Sequence, residues 1–162
     1  MIKMFDENES RKRQEEEDED DGDFSDMLSE MRILLPGAQM LTAFLIILPF
    51  NGGFARIVHT EKLLFLATFV LSLTSLVLLS APAVQHRIMR PLKDRARFKR
   101  VATKLMVTGS FTLAVALVLG TELVISEVFG AQVGLITAGA MALLIAVIWW
   151  WMPKYLKKHA GV

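Results

Sequence analysis

Three polar side chains set in or at the ends of apolar runs are the candidates for chemistry in this 162-residue chain: Gln39, His86 and Glu122. Ionisable or amide groups in such surroundings are costly and mark function or a helix contact. Glu122 is the deeper of the two acids, with Glu127, within TGSFTLAVALVLGTELVISEVF. At about 1.5 Å per residue it lies roughly 26 Å along a helix entered at Leu105, near the outer boundary of a membrane span and away from its midplane. A carboxylate close to a helix C-terminus opposes the macrodipole, so Arg56, His59 and Lys62 are candidate partners. The readings are an interfacial carboxylate or, alternatively, an ion-pair or ion-entry group. Gln39 is placed more deeply, in the inner third of its run, and an unpaired amide there would cost several kcal/mol. It is expected to clamp against another helix, with a substrate path as the alternative. His86 follows Pro82 by one helical turn beside Arg87, which suits an interfacial polar residue better than a proton relay.

Enzyme signatures are missing from the sequence. There is no HExxH, GxSxG, Walker loop or GxGxxG, and Cys is absent, so no thiolate site or disulfide frame can form. His59, His86 and His159 fall on opposite sides of a membrane. The expectation is therefore a chain that is not an enzyme, with no catalytic residue, cofactor or metal and no nucleic-acid partner.

What must position the three residues is a set of membrane helices. The chain is 53% hydrophobic and 22% charged, and its formal charge of +1 hides an acidic head of 13 acids and 4 bases over residues 1–31 before a basic, oily body. Apolar runs at 33–50, 63–84, 105–129 and 131–152 are each long enough to cross a hydrocarbon core of about 30 Å. The first carries Pro36 and Gly37 at its start, and a re-entrant segment is its alternative reading. Between the second and third runs, Arg87, Arg90, Lys93, Arg95, Arg97, Lys99, Arg100 and Lys104 face one acid, Asp94. Short loops rich in Lys and Arg remain cytoplasmic, which puts both termini inside together with Arg32 and the basic tail 153–162. The same loop is the expected contact for anionic lipid headgroups. Trp149, Trp150 and Trp151 then form an inner aromatic belt, a cation or ligand cage being the rival reading.

Residues 1–23 are acidic and self-repelling and are expected to be disordered. Phe24, Met27, Leu28, Met31 and Leu35 recur at helical spacing, predicting a separate amphipathic interfacial helix over 24–35. Small residues line two four-residue ridges, Thr108, Thr112, Ala116 and Gly120 in the third run and Gly134, Ala138, Ala142 and Ala146 in the fourth. The one-residue turn at Gly130 makes these runs antiparallel neighbours, and the ridges are expected to face each other, with a homo-oligomer interface as the alternative. Thr68, Ser72 and Ser75 share one face of the second run and suit a helix contact better than a pore.

The stretch SEMRILLPGAQMLTAFLIILPFNGGF followed by APAVQHR resembles an uncharacterised family of small bacterial four-span membrane proteins, a domain of unknown function. The likeness rests on LPGxQ, AFLxxxPF and APxxxHR and covers roughly residues 24–155. Some members carry the name sodium/proton antiporter; this chain lacks the buried carboxylate such exchange requires, so the resemblance implies a place, the cell membrane, and no activity. The sequence thus predicts an all-α four-helix membrane bundle in a bacterial plasma membrane. Its function is that of a small transporter or channel component or, alternatively, of a non-transporting accessory protein that engages lipid or a partner.

Overall fold

The computed structural model describes residues 2–50, 59–89 and 95–159. Helix α1 runs Ile2–Ile47 and ends in a tight turn at Leu48–Phe50. Helices α2 (His59–Ile88), α3 (Arg95–Phe129) and α4 (Ala131–Ile145) follow, then a widened turn at Ala146–Trp151 and a short α5 (Met152–His159). The four predicted spans each fall within this order. Four helical stretches, of 26, 30, 33 and 29 residues, are long and apolar enough to cross a membrane. Only between 17% and 28% of their most apolar windows is buried inside the chain, so most of this apolar surface faces outward.

The N-terminal region differs from the sequence reading. A disordered segment over 1–23 and a separate helix over 24–35 were expected, whereas the backbone is one helix from Ile2 through Pro36 to Ile47. Extending a helix that is already nucleated costs little, and Lys, Arg, Gln and Glu are good helix formers. Pro36 removes one donor without ending the helix.

Consecutive helices are antiparallel. Thr42 meets Ser72 across α1 and α2, His86 meets Phe98 across α2 and α3, and Phe111 meets Trp150 across α3 and the end of α4. The up-down-up-down path returns both ends of the chain to the end where α2 hands over to α3. There Met27 and Met31 of α1 bury against Phe98, Ala102 and Met106 of α3. Higher in the bundle Ala38, Leu79 and Leu113 form a second cluster with Leu34, Leu35, Leu41 and Leu76. Gly109 lets α2 and α3 approach closely: a Cβ there would lie 3.0 Å from Leu79 Cγ and 3.2 Å from Leu78 Cβ.

Helices α1, α2 and α3 pack on one another, whereas α4 packs against α3 alone among the described elements. Its contact is made by Gly134, Ala138 and Ile145, the buried residues of this helix. Gly130, the turn residue, adopts φ 90°, which a side chain rarely tolerates. The two small-residue ridges do not face each other along their length. Gly120 looks instead toward Leu41 and Thr68, Thr108 is exposed, and so are Ala142 and Ala146. A row at four-residue spacing drifts by about 40° per step on a 3.6-residue helix, so it walks off the contact after Ala138, and Ile145, at i+7, takes its place.

Candidate functional site

A seam of hydroxyls is sealed between α1, α2 and α3. Thr42, Thr68, Ser72 and Ser75 are all buried, and the spacing of the three α2 residues puts them on one face. Thr42 Oγ1 donates to the carbonyl of Ala38 at 2.8 Å and lies 2.6 Å from Ser72 Oγ. Thr68 Oγ1 donates to the carbonyl of Leu64 at 2.7 Å, and Ser75 Oγ has no hydrogen-bond partner among the described residues. Gly120 keeps α3 close to this layer: a Cβ there would stand 3.6 Å from Thr68 Cγ2 and from Leu41 Cδ1. The chemistry of such a seam is helix clamping through neutral hydroxyls.

Glu122 sits on a different face of α3. Ser126, one turn farther on, lies against Gly134, and Phe111 meets Trp150. This antiparallel register sets Glu122 level with Ala138, at the α3–α4 contact. The residue is half-buried, and its Oε2 is shielded from solvent without a hydrogen-bond partner among the described residues. It lies five residues, about 7.5 Å of helix, inward of the exposed Glu127. The sequence reading took the chain to lack a buried carboxylate and gave Glu122 partners from the first outer loop. Oε2 is in fact shielded from solvent. Arg56 lies outside the described residues, and His59 and Lys62 are exposed on α2.

Gln39 does not make the interhelical contact expected of it. It is exposed on α1, because the packed stripe of that helix runs through Met31, Ala38, Thr42 and Leu45 and Gln39 is turned about 100° from Ala38. His86 is half-buried near the C-terminal end of α2, its ring 6.0 Å from that of Phe98, beside the methionine-rich cluster. The three polar candidates thus occupy three separate places: the exposed face of α1, the end of the α2–α3 contact near their connection, and the side of α3 that faces α4.

The bundle end shared by the two termini gathers many bases, with Asp26 and Glu30 of α1 exposed beside them. Arg87, Arg97, Lys99, Arg100 and Lys104 are exposed there, and so are Arg32 of α1 and Lys154, Lys157 and Lys158 of α5. Arg90 and Lys93 lie outside the described residues, as does the side chain of Arg95. The aromatic level stands just inside this end, with Trp150 edge-on to Phe111 at 5.8 Å and 5.9 Å from Trp149. Trp151 is 67% exposed, which fits an outward-facing belt and not an enclosed cage. Sequence reasoning missed the widened turn that carries these rings. Its mark is the N–H of Met152, which donates to the carbonyl of Val147, five residues back, and the signal was Pro153, whose ring presses on the carbonyl four residues before it.

No curated protein and no solved structure matches the chain. A family model does match, over residues 13–153, from the acidic stretch to Pro153. The chain belongs to this family of unknown function, DUF6328.

Proposed function

We propose that the chain is a multi-pass protein of a bacterial plasma membrane, with both termini in the cytoplasm, that acts as a non-transporting accessory protein. The observation that carries this reading is the one-sided packing of α4, which rests on α3 alone and leaves the rest of its circumference to lipid or to a second chain. The bases gathered at one end from α1, α2, α3 and α5 support a cytoplasmic face held against anionic headgroups, each Lys or Arg near the surface contributing about 1 kcal/mol. The interior supports the same reading, since the buried polar groups between α1, α2 and α3 are neutral hydroxyls, and the Thr42–Ser72 pair among them ties α1 to α2. Purified chain in sealed vesicles is expected to raise proton and sodium flux no higher than protein-free vesicles. A photoreactive group at the exposed Leu143 should crosslink to one defined protein, a second copy included. Flux proportional to the amount of chain would overturn the reading.

Glu122 favours a second reading, a transporter or channel component completed by oligomerisation. Its Oε2 is shielded from solvent with no hydrogen-bond partner among the described residues. Chain-dependent flux abolished by Glu122→Gln would establish this alternative.

A further inference from the structure

The short helix α5 leaves both of its faces open, and the two faces differ in chemistry. Met152, Tyr155, Leu156 and His159 follow the i, i+3, i+4, i+7 spacing that lines one side of a helix. Tyr155 and His159 stack with ring centroids 4.2 Å apart, which holds this side together. Met152, Tyr155 and Leu156 are each more than half exposed, and Lys154, Lys157 and Lys158 occupy the other side. Among the described residues, no element packs on α5 apart from the widened turn that leads into it. That turn and Pro153 supply the hinge, because a five-residue hydrogen bond and a missing N–H are where a helix changes direction.

From these observations we infer that α5 is a membrane-surface helix that docks on an anionic lipid leaflet. Its apolar side enters the headgroup boundary next to the tryptophan belt, and its lysines face the lipid phosphates. The inference rests on the reading that the four long helices cross a membrane. Charge decides the occupant: a short helix with three lysines opposite three apolar side chains complements a negative interface, and the preceding tryptophans set it at headgroup level. The widened turn and Pro153 are where α5 can leave the direction of α4 to lie along the surface.

The chain has no cysteine, so a single introduced one reports a single site. Nitroxide labels on Leu156→Cys, Lys157→Cys and Leu144→Cys are read by collision with oxygen, which concentrates in lipid, and with a water-soluble nickel complex. Each variant is held at one chain per nanodisc, in phosphatidylcholine alone or mixed with phosphatidylglycerol. In the anionic discs position 156 is expected to prefer oxygen and position 157 nickel. The preference at 156 is lost in phosphatidylcholine alone, and also when Lys154→Gln, Lys157→Gln and Lys158→Gln are combined. Nickel access at 156 in anionic discs, with 144 still in lipid, overturns the inference and leaves the membrane reading intact. A preference at 156 that ignores lipid charge removes the anionic leaflet as its cause, and one that appears only with two chains per disc assigns the face to a second copy; either contradicts the inference. Nickel access at 144 overturns the membrane reading itself, and the inference with it.

Discussion

Thr42 Oγ1 and Ser72 Oγ lie 2.6 Å apart across the α1–α2 contact, and the two ends of this bond are not equivalent. Thr42 keeps a second bond to Ala38 O, so Ser72→Ala leaves no group of Thr42 stranded. Thr42→Val strands the buried Ser72 hydroxyl. Equilibrium unfolding in bicelles should therefore give Thr42→Val a loss of about 1–3 kcal/mol, the range for an orphaned buried polar group, and Ser72→Ala about 0.6 kcal/mol, the mean for interhelical bonds in membranes. The double variant should cost less than the sum, and strict additivity would contradict the pairing.

Two glycines of α4 make a matched test of its one-sided packing. A Cβ at Gly134 would stand 2.9 Å from both the backbone N and the Cβ of Ser126, whereas one at Gly139 meets nothing within 4 Å. Gly134→Ala is expected to lower thermal stability by the equivalent of about 1–3 kcal/mol, as overpacking does. Gly139→Ala leaves stability unchanged or raises it. Ala138→Leu, at a position that is 5% exposed, should separate α3 from α4 and follow Gly134→Ala.

Gln39 presents an amide on the outer face of α1. An amide in an apolar zone draws a second helix to itself, with an interaction of about 1–2 kcal/mol in peptides. Gln39→Leu should leave the unfolding of a single chain unchanged while weakening self-association about 5- to 30-fold, read by energy transfer between labelled chains in diluted vesicles. A loss of single-chain stability of the same size would mean that the amide is used inside the bundle.

Replacing the Glu122 carboxylate removes an enclosed oxygen that has no partner. Glu122→Gln is expected to hold or raise the thermal stability of the α3–α4 hairpin. Glu127→Gln, at an exposed position, should change nothing measurable. Destabilisation by Glu122→Gln would show that the carboxylate is bound by a group supplied from elsewhere.

Helix number and order were legible in the sequence because apolar runs of this length admit one satisfied backbone, the helix. The inward face of α2 was legible as well, since Thr68, Ser72 and Ser75 are polar marks on an apolar cylinder. The inward faces of α1 and α4 were not. Lipid is as apolar as a helix contact, so Leu and Ala on these helices carry no sign of which side packs, and Gln39 and the lower half of the α4 ridge were turned the wrong way. The enclosed Oε2 of Glu122 depends on the register that Gly134 sets against Ser126, a long-range fact that depth along one helix does not contain. The unbroken α1 reflects propagation from a nucleated helix, against which charge repulsion in EEEDEDDGD was weighed too heavily.

The path of the chain gathers Arg32, Arg87, Arg97, Lys104 and Lys157 at one end, and the account rests on that end facing the cytoplasm with four crossings beyond it. The most direct test is a pair of reporter fusions in bacterial cells, one enzyme active only in the cytoplasm and one active only outside it, each joined after Val162 and, separately, at Gly52. The account predicts cytoplasmic activity alone at Val162 and external activity alone at Gly52. The reverse pattern, or the same side for both positions, would contradict it.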